Sequence, residues 1–193
     1  VGSTVKGVLD WSRRYDNMQN HTGEHVISGL IHKKYGFDNV GFHMDEDVIT
    51  VDFDGVIPAN ELLAIEQQVN DAIYADIPVN VLFPSAEELK AMDYRSKKEL
   101  TGKVRIVDIP GCDRCACCGT HVARTGEIGL LKVLSSEKHR GGTRILFVCG
   151  ARALRDYAAK NASVRRISEL LSAKPAEVAE AVEKLLTAQN LKE

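Results

Sequence analysis

Apolar positions recur three and four residues apart in two long stretches of the chain, a spacing typical of amphipathic helices. The first stretch covers residues 12–34, where Asp10 or Ser12 is suited to cap its start and Gly36 to end it. The second covers residues 61–75 and opens after Pro58. We therefore predict two long helices in the first half of the chain.

Shorter stretches are apolar or alternate apolar and polar residues, which predicts strands. Residues 45–47 (DED) form the expected turn between the first two strands after the first long helix, and residues 137–142 the expected loop of a later hairpin. Ser85, with Glu88 three positions later, forms a capping-box pattern that predicts a short helix over residues 86–92. The predicted strands cover residues 5–11, 40–44, 48–53, 79–83, 104–109, 128–135 and 143–149. This mixture predicts an α+β fold, with an antiparallel sheet layered with helices.

The pattern changes after Gly150. Residues 151–193 carry only helix-like apolar stripes, and Pro175 is expected to start the last helix. We predict a domain over residues 1–150 followed by a helical C-terminal tail over residues 151–193. The stripes of the tail need a partner, which is the domain itself, a second copy in a homodimer, or a further domain.

The overall composition excludes several classes of protein. A hydrophobic content of 44% is ordinary for a globular domain, and a net charge of −2 provides no overall basic field for nucleic acid. No apolar run approaches the roughly 20 residues that cross a bilayer, and no segment is typical of a signal peptide. Because the chain begins with Val1 rather than Met, we expect it to be part of a longer protein.

The five cysteines do not suggest a disulfide framework. Their number is odd, and Cys117 and Cys118 are adjacent. Four of the five lie in residues 111–129 (GCDRCACCGTHVARTGEIG). This arrangement favours reduced thiols and a metal site, and hence a cytoplasmic protein.

Cysteine and histidine residues form two pairs that lie far apart in the sequence. His21 and His25 are four residues apart on the first predicted helix, so both rings project from one face. Cys117 and His121 repeat that spacing in the cysteine-rich stretch. Because Zn²⁺ favours thiolate and imidazole ligands, these four residues predict a zinc site that closes across the fold.

A second arrangement of ligands is open. Cys112, Cys115 and Cys118 stand at the spacing C-x2-C-x2-C, and with His121 they would form a local structural zinc knuckle. That arrangement leaves the histidine pair of the helix unexplained. We therefore favour the site that joins the two distant pairs.

The histidine pair also matches a protease motif. Residues 21–25 (HTGEH) fit H-x-x-E-H, in which Glu24 would be the general base that activates water. Such proteases need a carboxylate as third ligand from a later helix. Here the pair formed by Cys117 and His121 completes the site, so a zinc protease is the remote alternative.

Several motifs together resemble the editing domain of alanyl-tRNA synthetases. They are the H-x3-H pair in residues 20–25 (NHTGEH), the C-x-G-T-H in residues 117–121 (CCGTH) and residues 125–129 (TGEIG). Residues 40–43 (VGFH) and 142–145 (GTRI) strengthen the resemblance to the free-standing alanyl-tRNA editing proteins, often called AlaX, of the longer type.

The resemblance runs from about Thr4 to Gly150, and the tail resembles the start of the C-terminal extension of the longer type. The sequence departs from the pattern at Cys118, where the synthetase usually has Gly, and in the extra cysteines Cys112 and Cys115.

The resemblance implies both a fold and a function. The fold would be the threonyl/alanyl-tRNA synthetase second-additional-domain type, with residues 1–150 as a zinc-binding editing domain. The function would be an aminoacyl-tRNA deacylase that hydrolyses the ester of serine or glycine wrongly attached to tRNA(Ala). A synthetase pocket cannot reliably reject a near-isostere of its substrate, so a second site that destroys the wrong product maintains translational fidelity.

The resemblance also implies roles for particular residues. A zinc ion would either hold the hydroxyl or amino group of serine or activate water for attack on the ester. Glu24 and His43 are the candidates for catalytic proton transfer, although His43 is also read as a surface residue and Glu24 as a solvated helix residue. The implied zinc ligands are His21, His25, Cys117 and His121, and the implied substrate-binding residues are Thr22, Gly41, Thr120 and Arg144. The threonines have the alternative of bonding locally to the backbone.

The acceptor end of tRNA(Ala) is the expected partner, and Arg144 with the basic residues 138–140 (KHR) is the expected contact. A non-catalytic, zinc-stabilised module that docks tRNA within a larger synthetase-like protein is the alternative function. Neither G-x-x-x-x-G-K nor G-x-G-x-x-G occurs in the sequence, so we expect no ligase activity from this chain.

Overall fold

The computed structural model describes residues 2–96 and 102–190. It divides into two compact units, the first ending at Ala153 and the second beginning at Leu154. The helices are α1 (Trp11–Tyr35), α2 (Ala59–Tyr74), α3 (Ala86–Ala91), α4 (Gly150–Leu171) and α5 (Val178–Asn190), with 3₁₀ turns at Thr125–Ile128 and Pro175–Glu177. The strands are β1 (Asn39–Met44), β2 (Ile49–Phe53), β3 (Asn80–Leu82), β4 (Ile106–Ile109), β5 (Asp113–Ala116), β6 (Leu131–His139) and β7 (Gly142–Cys149).

Helix α1 begins and ends where its sequence predicts. The Asp10 carboxylate accepts a hydrogen bond from the backbone N–H of Arg13, at 3.1 Å. At the other end Gly36 adopts a left-handed conformation, with φ of 73°, and its N–H donates to the carbonyl oxygen of His32. Both contacts satisfy backbone groups that a helix end leaves unpaired, so the predicted helix is confirmed to within one residue.

The strands form two antiparallel sheets. The first sheet has the order β1-β2-β7-β6, and the second has the order β3-β4-β5. The core lies where α1 and α2 meet the inward-facing residues of the first sheet. Its fully buried side chains include Val26, Ile27 and Ile31 from α1, Ile65, Val69 and Ile73 from α2, and Ile49, Val51, Phe53, Ile145 and Phe147 from the sheet. The predicted α+β fold, an antiparallel arrangement layered with helices, is confirmed.

The prediction of a strand over residues 5–11 is wrong. Residues 2–10 have no regular secondary structure, and neither sheet includes them. Val5 is 85% exposed and Val8 is 86% exposed. Apolar alternation alone does not make a strand, because the backbone needs a neighbouring strand for its hydrogen bonds.

The hairpin between β6 and β7 is longer than predicted. Residues 137–142 were expected to form its loop, but β6 continues to His139 and β7 starts at Gly142. Only Arg140 and Gly141 connect the strands, with φ of 47° and 85°. Two successive positive φ angles are typical of a two-residue hairpin turn of type I′, whose twist matches the flanking strands.

The helical tail is confirmed, and Pro175 opens the 3₁₀ turn that leads into α5. Several apolar residues of the second unit are exposed, including Leu170, Leu185 and Leu186. Within the two described ranges, no helix combines the length and apolar character needed to cross a membrane.

Helix α1 and strand β5 approach so closely that Gly29 has no room for a side chain. A Cβ atom at Gly29 would lie 2.3 Å from the carbonyl oxygen of Cys112 and 2.8 Å from the Cα atom of Asp113. Both are backbone atoms, so a flexible side chain cannot move aside to relieve the clash.

We expect Gly29→Ala to destabilise the protein. A Gly-to-Ala change inside a helix normally stabilises it by about 1 kcal/mol, whereas overpacking of this kind costs about 1–3 kcal/mol. Chemical denaturation measures the free energy of unfolding, and Gly7→Ala is the control, since its Cβ would meet nothing within 4 Å. A stabilised Gly29→Ala variant would contradict the close approach.

Candidate metal centre

Helix α1 carries His21 and His25, and in both rings Nδ1 is hydrogen-bonded while Nε2 is left for a metal ion. The Nδ1 atom of His21 lies 3.2 Å from the carbonyl oxygen of Thr120, and Nδ1 of His25 lies 2.8 Å from Oδ2 of Asp113. A carbonyl or carboxylate oxygen only accepts, so each Nδ1 carries the proton and donates it. The Nε2 atoms of both rings are therefore left to bind a metal ion.

The second pair of candidate ligands follows β5. The guanidinium group of Arg105 donates to the carbonyl oxygens of Cys117 and Gly119, at 2.6 and 3.1 Å. The N–H of Gly119 lies 3.4 Å from Sγ of Cys117 and donates to it. A Cβ at Gly119 would lie 2.2 Å from the His21 ring, so a side chain at this position would displace that ring from the cluster.

The structure brings the four predicted ligands together. One ligand atom from each of His21, His25, Cys117 and His121 lies within 4.8 Å of the corresponding atoms of the other three. The Sγ atom of Cys117 is 3.6 Å from Nε2 of His21. The ring centroids of His21 and His25 lie 4.3 and 4.8 Å from that of His121.

His121 gives the clearest sign that this cluster suits a metal ion. Across residues 2–96 and 102–190, neither of its buried ring nitrogens has a hydrogen-bond partner. Buried polar atoms without partners are rare and costly, and a metal ion would satisfy one of them. Three imidazoles and one thiolate are a donor set typical of Zn²⁺.

The charges around the cluster also suit a cation. Burial opposes the thiolate of Cys117, but His121, His21 and His25 outweigh it and lower the pKa of that thiol to about 3. Burial likewise opposes a charge on His25, but hydrogen bonds to Asp113 and Cys117 outweigh it and raise the pKa of His25 to about 10. The negative groups beside His25 therefore favour positive charge at Nε2, the position that a metal ion would take.

Sequence reasoning missed two residues next to the cluster, Asp113 and Arg95. Asp113 accepts from His25 and also from the guanidinium group of Arg95, at 2.8 and 3.0 Å. Alternation could have revealed Asp113, because residues 113, 115 and 117 point to the same face if they lie on a strand. The sequence predicts no strand between residues 109 and 128, whereas residues 113–116 form β5.

The alternative zinc knuckle is not assembled. Cys112 and Cys115 are buried and Cys118 is exposed. Among residues 2–96 and 102–190, the groups close enough to share an ion are the four-residue cluster and a second group of His25, Asp113 and Cys115. Neither group combines Cys112 or Cys118 with His121.

Glu24 is buried rather than solvated, contrary to one reading of the sequence. It lies three residues after His21 on α1, and it accepts hydrogen bonds from Ser28, at 2.8 Å, and from the amide of Asn39. The carboxylate is thus held at a defined position beside the cluster. Its catalytic role stays a prediction.

The two threonines act on the backbone in this structure. Thr22 is fully buried, and its hydroxyl donates to the carbonyl oxygen of Met18 and accepts from the N–H of Val122. It thereby joins α1 to the residue after His121. Thr120 is exposed and orients His21 through its carbonyl oxygen. Their roles in substrate binding stay predictions.

Three other predicted site residues lie on the opposite face of the first sheet. Phe42 stacks on His21, with ring centroids 5.6 Å apart, so its neighbour His43 points away from the cluster. A Cβ at Gly41 would touch the carboxylate of Asp52, which binds Arg144 through two hydrogen bonds at 2.7 and 2.8 Å. The structure therefore does not bring Gly41, His43 or Arg144 into the cluster.

A cavity of about 300 Å³ lies between the start of β1 and strand β5. Its walls include Asn39, Arg95 and Cys115. The Sγ atom of Cys115 lies within 4.8 Å of a His25 ring nitrogen, so the cavity borders the cluster. Among the described residues, Oδ1 of Asn39 is buried without a hydrogen-bond partner.

Comparison with known proteins adds to this geometry. Residues 104–146 match the family model of the threonyl and alanyl tRNA synthetase second additional domain. The chain is 33% identical over 190 residues to alanyl-tRNA editing protein Aarsd1 of Danio rerio, covering 95% of the chain and 46% of the relative. It is 37% identical over 166 residues to alanyl-tRNA editing protein AlaX-L of Pyrococcus horikoshii, covering 81% of the chain and 41% of the relative.

A further relative is an alanine–tRNA ligase of Thermofilum pendens, 35% identical over 182 residues, covering 90% of the chain and 20% of the ligase. The chain thus contains the second additional domain of threonyl and alanyl tRNA synthetases. Over most of its length it is related to alanyl-tRNA editing proteins, which confirms the resemblance in its motifs. The chain spans less than half the length of these editing relatives.

We expect Cys117→Ser to weaken zinc binding by more than the roughly 100-fold that loss of a ligand's hydrogen-bond partner causes. The control is Cys118→Ser, which alters the exposed neighbouring thiol and should leave zinc affinity unchanged. Competition with a chromophoric chelator measures both dissociation constants. If Cys117→Ser bound zinc like the unaltered protein, Cys117 would not be a ligand.

The ion pair between Asp52 and Arg144 predicts a dependence of stability on pH. Hydrogen bonds from Arg144 lower the pKa of Asp52 although burial opposes this. The pair therefore stabilises the fold above the ordinary Asp pKa of about 3.9, and this contribution is lost as pH falls through the lower pKa of the folded protein.

Asp52→Asn should accordingly lower the melting temperature at pH 7 and have a smaller effect at pH 3. The control is Asp71→Asn, because the Asp71 carboxylate accepts from the uncharged side chain of Gln67. Thermal unfolding at both pH values tests this, and an Asp52→Asn deficit that did not shrink at low pH would contradict the assignment.

Proposed function

We propose that this chain is a zinc-dependent aminoacyl-tRNA deacylase that hydrolyses the ester bond of mischarged tRNA(Ala), with serine or glycine as the wrong amino acid. The observation that carries the proposal is the cluster of three imidazoles and one thiolate. It forms in a chain related to alanyl-tRNA editing proteins, from the residues that carry the resemblance.

Zinc is the metal that this donor set fits best. When bound, it would supply Lewis acidity to the reacting ester or lower the pKa of water. His21 and His25 would hold it through Nε2, Cys117 through Sγ, and His121 through one of its unpaired ring nitrogens. Four protein ligands leave little room for a further group, so a weakly held ligand is needed if the metal takes part in the chemistry.

The cavity beside the cluster is where we place the aminoacyl group of the substrate. The Oδ1 atom of Asn39 is an unused acceptor, and the carboxylate of Glu24 adds negative charge nearby. An α-ammonium group supplies both a donor and a positive charge, so it complements these two side chains. Glu24 is also our candidate to accept a proton, because it lies three residues after His21 on α1, a spacing that makes side chains neighbours on a helix surface.

The tRNA would contact the basic end of the β6–β7 hairpin, where Lys138 and Arg140 are exposed. Side chains of this kind bind phosphate and fix orientation rather than read sequence. A tRNA substrate implies a cytoplasmic protein. We also propose a homodimer through the C-terminal helices, which would cover their exposed leucines and would double the mass measured in solution.

Hydrolysis of charged tRNA tests the proposal. Zinc-loaded protein should release serine or glycine from tRNA(Ala) much faster than it releases alanine, and chelator treatment should abolish the release. Cys117→Ser should behave like the chelated protein, and Cys118→Ser like the unaltered one. If zinc stays bound and no amino acid is released, this chain is a docking module rather than an enzyme. Cleavage of a peptide library would support the zinc protease instead.

A further inference from the structure

The hydrogen bonds around His25 continue beyond the metal cluster to a buried ion pair. The His25 and Asp113 side chains are 3% and 1% exposed. On its other side Asp113 meets Arg95, whose Nε donates to Oδ1 at 2.8 Å and whose Nη2 donates to Oδ2 at 3.0 Å. Oδ2 thus accepts from both His25 and Arg95. The order of contacts is metal cluster, His25, Asp113, Arg95.

Arg95 is itself fixed by strand β5. Its backbone N–H donates to the carbonyl oxygen of Arg114, and its carbonyl oxygen accepts from the N–H of Ala116, at 2.8 and 2.9 Å. These bonds place Arg95 parallel to Cys115, so the guanidinium group and the Asp113 carboxylate belong to neighbouring backbone segments. The geometry of the pair therefore does not depend on a freely rotating surface side chain.

The pair satisfies a carboxylate that would otherwise be costly to bury, because an unpaired buried carboxylate loses its hydrogen bonds to water. Arg95 donates two hydrogen bonds to Asp113, and these fix the carboxylate where its Oδ2 accepts from Nδ1 of His25. A partner held in this way fixes the tautomer and ring orientation of a metal-binding histidine.

We propose that Asp113 and Arg95 are positioning residues for the metal site, which fix the tautomer and orientation of His25 and strengthen its binding to the metal. The inference rests on the proposed metal cluster but not on the proposed hydrolysis. Gly29 belongs to the same arrangement, since its missing side chain allows β5 to bring Asp113 against α1.

Zinc affinity is the direct test, because it does not require tRNA. Asp113→Asn should raise the zinc dissociation constant by about 10–100-fold, measured by competition with a chromophoric chelator. Arg95→Ala should act in the same direction with a smaller factor, since His25 keeps its bond to Asp113. Arg95→Lys should lie between Arg95→Ala and the unaltered protein, because lysine cannot reproduce the two-pronged contact.

The matched control is Asp108→Asn. Asp108 accepts from Nε of Arg114 at 2.8 Å, so this change also disrupts an Arg–Asp pair on β4 and β5 but does not touch His25. Its zinc affinity should equal that of the unaltered protein. The absorption spectrum of the Co²⁺-loaded protein should shift in Asp113→Asn and not in Asp108→Asn, because the spectrum reports on the ligand field.

A double-mutant cycle separates positioning from general destabilisation. In a His25→Ala background, Asp113→Asn should have no further effect on zinc affinity. The proposal would be overturned if Asp113→Asn and the unaltered protein bound zinc with equal affinity. It would also be overturned if Asp113→Asn weakened zinc binding as much in the His25→Ala background as in the unaltered protein. If Asp113→Asn does not fold, the two Arg95 variants test the proposal instead. Zinc affinity should then fall from the unaltered protein to Arg95→Lys and further to Arg95→Ala, and equal affinities would overturn the proposal. Absence of zinc binding in the unaltered protein would overturn the site itself, whereas normal zinc binding without deacylation would reject only the proposed function.

Discussion

The close approach of helix α1 to strand β5 is the constraint on which the site depends. Gly29 allows the backbones to meet, and Asp113 on the strand then reaches His25 one helical turn away. The strand also delivers Cys117 to the same helix face. A single side chain at position 29 would separate the elements that carry the two halves of the candidate ligand set. The assembly of the candidate metal cluster is therefore a consequence of backbone packing between two elements.

The motif residues divide into those that face the cluster and those that hold its segments in place. Glu127 accepts from the backbone N–H groups of Ala123 and Arg124 and from the hydroxyl of Tyr15 on α1. Thr125 joins α2 to the following turn through its hydroxyl. These contacts fix the chain just after His121. Thr125 and Glu127, which belong to the motif in residues 125–129, thus hold neighbouring segments together rather than face the cluster.

The sequence predicted most of the fold, because local signals determine most of the elements. The cap at Asp10, the glycine at position 36 and the capping box at Ser85 all form as expected. The errors arise where a strand forms or fails to form because of its pairing with a distant strand. Residues 5–11 alternate like a strand but pair with none of the described strands, whereas residues 113–116 contain two charged residues and a cysteine yet pair with β4. The four predicted ligands converge, but Asp113 and Arg95 act through contacts that no spacing along the chain encodes.

The candidate ligands come from segments that lie 96 residues apart, the separation of His21 and Cys117. A nascent chain that emerges from the ribosome cannot complete such a site until the second segment has been synthesised. The first histidine pair alone offers an incoming ion only two nitrogens. An ion held by all four candidate ligands could therefore bind only after Cys117 and His121 have been synthesised. A truncated translation product that ends before Cys117 would contain only the two histidines of α1.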